Sequence, residues 1–216
     1  YGQSETTPQN NLSYTYIGNK LSSIYDFGNR ASASFTYDSN GNMLTHGQRG
    51  LQFSYNFINL PMAVTGPNGT TVYSFSADGT KVGVEDNGGN GYRYMGSLIY
   101  AKSGSALALE SARFAHGYIA PLDGQVYYHT TDHLGSVRAV TNLQGSVVER
   151  NGYYPFGSET ALGSNYPKLL DNRMKFNGKE EQTIGNLGLL DYGARMYDPA
   201  IGRWTAQDPL SEKYYS

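Results

Sequence analysis

The feature that most constrains this chain is strict alternation of apolar residues, repeated along the sequence and broken each time by a turn. Leu12, Tyr14 and Tyr16 alternate, as do Ala33, Phe35 and Tyr37. So do Leu51, Phe53, Tyr55 and Phe57, and then Tyr73, Phe75 and Ala77. A period of two puts such side chains on one face of a β-strand. The segments return about every 20 residues, the length of one hairpin unit. Between them lie Asn-Gly or Asp-Gly pairs beginning at Asn40, Asn68, Asp78, Asn87, Asn90, Asp123, Asn151 and Asn177. These dipeptides suit type I′ hairpin turns, in which both central residues need positive φ. A looser unit runs aromatic, Gly four later, aliphatic seven later. It fits Tyr37-Gly41-Leu44, Phe75-Gly79-Val82 and, with Thr for the aromatic, Thr141-Gly145-Val148. It predicts that each new strand starts on the face the last one left.

Composition agrees. The 216 residues include 27 Gly and 20 Tyr, and only 16% are charged. Tyr packs its ring on a half-buried pleated surface and keeps its hydroxyl in water, while Gly supplies turn conformations. The expectation is an all-β chain of serial antiparallel hairpins in an open, curved, spiralling sheet, ending in a more irregular element. Ser105 to His116 is the ambiguous stretch. Its Ala and Leu content favours helix. The alternation of Leu107 with Leu109 and the flanking Gly104 and Gly117 favour strand, which is the expectation here. Pro155 interrupts regular pairing, and 158–172 reads as an irregular polar loop.

Several function classes find no support. Sixteen basic and 18 acidic residues leave a net charge of −2, and no basic stripe marks a nucleic-acid partner. No Cys is present, so thiolate and disulfide chemistry are absent. No apolar run approaches the roughly 20 residues of a membrane span. The chain opens at Tyr1 without a leader-like segment, and a piece excised from a longer polypeptide is the simplest expectation. Gly88, Gly89, Gly91 and Gly96 lack the Gly-Lys-Ser/Thr of a phosphate loop. The sequons at Asn11 and Asn68 carry no weight. No cofactor is expected.

The C-terminal stretches resemble a known family. They are Asp132-His133-Leu134-Gly135-Ser136-Val137-Arg138, Tyr154-Pro155-Phe156-Gly157 and Lys175-Phe176-Asn177-Gly178-Lys179-Glu180. Asp191-Tyr192-Gly193-Ala194-Arg195-Met196-Tyr197-Asp198-Pro199, Gly202-Arg203-Trp204 and Asp208-Pro209-Leu210 follow. Their order and spacing resemble the core domain of RHS, or YD-repeat, proteins, with wording similar to Bacteroidetes copies. Looser repeats such as Phe35 to Leu44 and Tyr55 to Pro61 carry the resemblance upstream. It implies YD-type repeats over 1–128 and an RHS core domain over 129–216. It further implies a hollow, secreted or cell-surface shell, non-catalytic, whose partners are the rest of the parent shell and a C-terminal effector such as a toxin. Animal members of the family use the shell in adhesion. Open sheet edges also predict self-association.

Three sites of possible chemistry remain. By the resemblance, Asp208 sits at the first Asp-Pro of a region where some members cut themselves, with the cut itself beyond Ser216. An aspartyl mechanism needs a second carboxylate sharing the proton, for which Asp191 and Asp198 are candidates. The bland alternative is an Asp-Pro turn, and a turn is the expectation. His129 and His133 have metal-binding spacing for a helix. On strand and turn they are far apart and too few, so they are expected to be structural. Arg195 and Arg203 among Tyr192, Tyr197 and Trp204 make either a pocket for a sugar or anion or a cation–aromatic ladder. The ladder is the expectation, and glycan binding for adhesion is the alternative.

Overall fold

The computed structural model describes residues 11–122, 124–161, 168–169 and 171–211. Two antiparallel sheets account for its strands. The first sheet, the wall, takes fifteen strands in chain order. They are β1 (Leu12–Ile17), β2 (Lys20–Asp26), β3 (Ala31–Tyr37), β4 (Met43–His46) and β5 (Leu51–Tyr55). Next come β6 (Pro61–Gly66), β7 (Gly69–Phe75), β8 (Lys81–Asp86), β9 (Gly91–Met95) and β10 (Leu98–Ser103). The last are β11 (Ala106–Phe114), β12 (Gly117–Ala120), β13 (Gln125–Thr131), β14 (Val137–Thr141) and β15 (Val147–Arg150). The ambiguous stretch is therefore strand. Residue 129 falls inside β13, and the wall continues to Arg150.

The second sheet, here called the cap, is small. Its strands are β16 (Glu180–Glu181), β17 (Leu190–Asp191), β18 (Met196–Asp198) and β19 (Arg203–Trp204). It covers one face of the wall. Leu187, Leu189 and Met196 complete an apolar core with Leu21, Ile24, Phe35, Leu51, Phe53, Tyr73 and Val84. A second cluster joins Tyr118, Tyr127, Val137 and Val140, with Met174 packed against it. Fifteen strands laid flat would stretch roughly 65 Å at the usual spacing. Yet the cap touches β1 through Arg203 and Tyr16, and the segment leading into it touches β15 through Lys175 and Glu149. The wall therefore curls around the cap. Among the described residues β1 and β15 do not pair, and both remain edges.

The turns depart from the type I′ expectation. At the Asn40-Gly41 turn, the Asp38 N–H donates to the Asn42 carbonyl (2.9 Å) and the Gly41 N–H donates to the Asp38 carbonyl (3.2 Å). Gly41 has φ of 83°, but Asn40 does not have positive φ. This is a three-residue hairpin loop with one left-handed residue and a bulge beside it. The pairing indeed slips between Thr36 and Tyr37. The same bonds close 56–60, 76–80, 86–90, 132–136 and 142–146, and again 154–158 and 175–179. Of the Asn-Gly and Asp-Gly pairs among the described residues, only Asn177-Gly178 has positive φ at both positions. Asp123 lies outside those residues. Three of the two-residue loops instead carry Gly first, at Gly18, Gly96 and Gly104.

The loop also corrects three face assignments. Phe57 and Ala77 lie in loops rather than strands, and Phe57 is 94% exposed. Because of the bulge, Met43 takes the inner position opposite Tyr37, while Leu44 is exposed.

Candidate functional site: the polar interface of wall and cap

The first residue of the loop explains the acid in the repeat. Asp132 Oδ1 accepts the N–H groups of Leu134 and Ser136, both at 3.0 Å, and Oδ2 pairs with Arg138 Nε at 2.8 Å. Asn56, Asp86 and Asn142 grip their loops through the same two N–H groups. A short acceptor at this position replaces ladder bonds the bulge removes. His133 and Leu134 are exposed at the loop tip, and Gly135 supplies the left-handed residue.

The other motif residues build the cap. Gly157 (φ 93°) lies against the Phe176 ring, so close that a Cβ would stand 2.5 Å from it. Tyr154 and Pro155 are exposed on the same loop, whose Phe156 carbonyl accepts the Tyr197 hydroxyl at 3.0 Å. Asn177 donates its side-chain N–H to the Tyr192 hydroxyl (3.0 Å), and its backbone N–H to Ser136 Oγ (3.0 Å). The loops at 132–136 and 175–179 are thereby joined. Asp191 Oδ1 accepts the Gly193 N–H at 2.6 Å, and Ala194 is exposed beside it. The carbonyl of Pro199 accepts Ser158 Oγ–H at 2.9 Å, and Gly202 packs under Phe156.

Charges bridge cap and wall in places shut off from water. Asp198 has a side chain 1% exposed, held by His46 Nε2 at 2.7 Å and by Arg49 Nε and Nη2 at 2.7 and 2.8 Å. Burial alone would raise its pKa, but the Arg49 and His46 bonds and charges outweigh burial and hold it down at about 2. Glu180 receives Lys81 Nζ (2.7 Å), Arg173 Nε (3.0 Å) and the Tyr94 hydroxyl (2.9 Å). Lys81 also contacts Asp191, and Arg173 forks onto Glu110 at 2.7 and 2.8 Å while lying 3.7 Å from the Tyr92 ring centre. Glu149 accepts Lys175 Nζ at 2.7 Å, Asn151 Nδ2 at 2.7 Å and Asn172 Nδ2 at 2.9 Å. Burial works against the charged form of Glu149 and of Glu180, but the cations beside them prevail and lower both pKa values.

The candidate aspartates do not form a proton-sharing pair. Each carboxylate has its own cation: Arg195 for Asp208 (2.9 Å), Arg49 for Asp198, Lys81 for Asp191. Asp208 Oδ1 accepts the Leu210 N–H at 2.9 Å, so Asp208-Pro209 is a capped turn. His129 and His133 sit on strand and loop, and among the described residues no group of three or more His, Cys, Asp or Glu could hold a metal. The arginines form the ladder. Arg195 lies 4.2 Å from the Trp204 ring centre, and Arg203 lies 4.7 Å from that of Tyr16. Lys20 sits 5.7 Å from that of Tyr37. Tyr192 and Tyr197 flank Trp204 at 4.7 and 5.1 Å. A cleft of about 620 Å³ opens here, and each of its two lining rings, Tyr37 and Trp204, has a cation near it.

Sequence reasoning missed His46, Arg49, Lys81, Glu110, Glu149, Arg173 and Glu180. The only available signal was acids and bases on strands otherwise poor in charge.

Residues 116–215 match the Teneurin YD-shell family. Salivary gland surface protein 1 of Aedes aegypti is 40% identical over 92 residues, 42% of this chain and 3% of that protein. Toxin subunit YenC1 of Yersinia entomophaga is 28% identical over 86 residues, 39% of this chain and 8% of that one. Among solved structures, the Photorhabdus luminescens Tc holotoxin pore superposes with a TM-score of 0.63 at 19% identity, covering 93% of this chain and 12% of that one. A TcdB2–TccC3 complex gives 0.62 at 19% identity, over 92% of this chain and 12% of its own. This chain thus spans a small part of each. Residues 116–215 are thus YD-shell-like in sequence, and the chain as a whole shares the fold of these solved structures.

Proposed function

We propose that this chain is a non-catalytic stretch of shell wall whose cap closes one region of the lumen, so that the whole protein encloses a C-terminal effector. The observation that carries this is the union of one continuous curled sheet with a cap bound to its inner face through buried charges. A single-layer wall leaves its inner face without a partner layer, and the cap supplies one. Among the described residues, no further strand lies beside β1 or β15. Further repeats of the parent shell, or a second copy, would extend the sheet there. A secreted or surface-exposed protein fits this role, as does the toxin-subunit name of one relative. The adhesion alternative would use exposed rings such as Tyr25, Tyr128 and Tyr154.

The test is limited proteolysis of the chain joined to its native flanking sequence. The downstream segment should resist protease in the intact protein and become sensitive in Asp198→Asn. Cleavage at the rate of the free segment in the intact protein would contradict enclosure.

A further inference from the structure

Arg113, a half-buried cation, has no ion-pair partner among the described residues. Its Nε and Nη2 are shut off from solvent without a hydrogen-bond partner among the described residues, and the buried His129 Nε2 beside it has only the Asn172 side chain within reach. Buried guanidinium and imidazole nitrogens left unpaired are costly, and such groups call for an unseen water, ion or ligand. The two side chains flank Tyr118 on the inner face. The Arg113 guanidinium lies 5.9 Å from the Tyr118 ring centre, and the His129 ring lies 5.7 Å from it. Together they line a pocket of about 230 Å³, with Gly117, Gly135, Met174 and Gly178. Nearby Glu110, Glu149 and Glu180 are already engaged by Arg173 and Lys175.

We infer that Arg113 and His129 form an anion site on the inner wall, taking one small carboxylate or phosphate group. The volume lies below the roughly 300 Å³ at which drug-sized ligand pockets begin, so the site takes a single charged group. Its planar guanidinium edge suits the paired oxygens of such a group. Burial, followed by the nearby Arg113 charge, lowers the His129 pKa to about 4, with Lys175 adding to the lowering and Glu149 and a side-chain hydrogen bond with Asn172 opposing it. An anion between the two would reverse much of that lowering. The site is independent of the shell role.

The test is an NMR titration of the four histidines (His46, His116, His129, His133) in the full chain. Sodium phosphate, sodium acetate and a short peptide with a C-terminal carboxylate are added at constant ionic strength. Sodium chloride is the control. Saturable shifts of His129, with His116 and His133 unmoved and a raised His129 pKa, are expected. Phosphate alone acting identifies a free-phosphate site, and the carboxylates acting identifies a peptide or organic-acid site. Arg113→Gln should weaken binding by about tenfold or more, and Arg113→Lys less, the second serving if the first fails to fold. Overturning results are no saturable His129 shift with any of the three, or an equal shift in folded Arg113→Gln.

Discussion

His46 Nε2 lies 2.7 Å from Asp198 Oδ2, joining a wall strand to a cap strand across 152 residues of chain. Neither side chain sees solvent, and Arg49 closes the group. Asp198→Asn leaves the Arg49 charge and His46 without their carboxylate. Loss of one partner from a buried pair costs about 3–5 kcal/mol. Urea denaturation should show a lower midpoint by that amount at unchanged slope.

The same carboxylate sets an acid limit. Its folded pKa, about 2, lies below the ordinary 3.8. Its contribution is therefore complete above 3.8 and is lost as pH falls through about 2, roughly 2 kcal/mol in all. His129 acts in a higher window. Burial lowers its pKa from 6.5 to about 4, so the unfolded chain takes up a proton first. Stability present above 6.5 should fall between 6.5 and 4. Stability measured against pH should show the upper step, and His129→Gln should flatten it.

Glu180 draws in Lys81 from the wall and Arg173 from the approach to the cap. A double-mutant cycle of Lys81→Met and Glu180→Gln should return a coupling of about 2–3 kcal/mol, since contacting buried charges do not act additively. Coupling near zero would mean that the cap is not seated on β8.

The loop chemistry separates into two measurable parts. Gly145 has φ of 79° with nothing near its missing Cβ, so Gly145→Ala tests backbone strain alone, at about 1–2 kcal/mol. Asn142→Ala removes the acceptor for Gln144 and Ser146 N–H and should cost about 1 kcal/mol. Thermal unfolding of the two variants checks both.

Strand identity was legible wherever alternation ran without a loop, as at Leu51, Phe53 and Tyr55. It failed at Phe57, because Asn56 had already folded the chain into its turn. Reading Asn-Gly as type I′ missed that the loop is set by its first residue, Asp38 or Asn142, rather than by the residue before Gly. The cap motifs were visible as a resemblance, but the wall's charges were not. Glu110 meets Arg173 63 residues later and His46 meets Asp198 152 residues later, and no local spacing encodes such pairs.

Hydrogen exchange followed by mass spectrometry tests the docking of cap on wall most directly. The backbone N–H groups of Gln182, Tyr192 and Thr205, which bond within the cap, should be protected to the same degree as those of β5 to β8, and should lose protection together in Asp198→Asn. Cap amides that exchange at loop rates over a fully protected wall would contradict it.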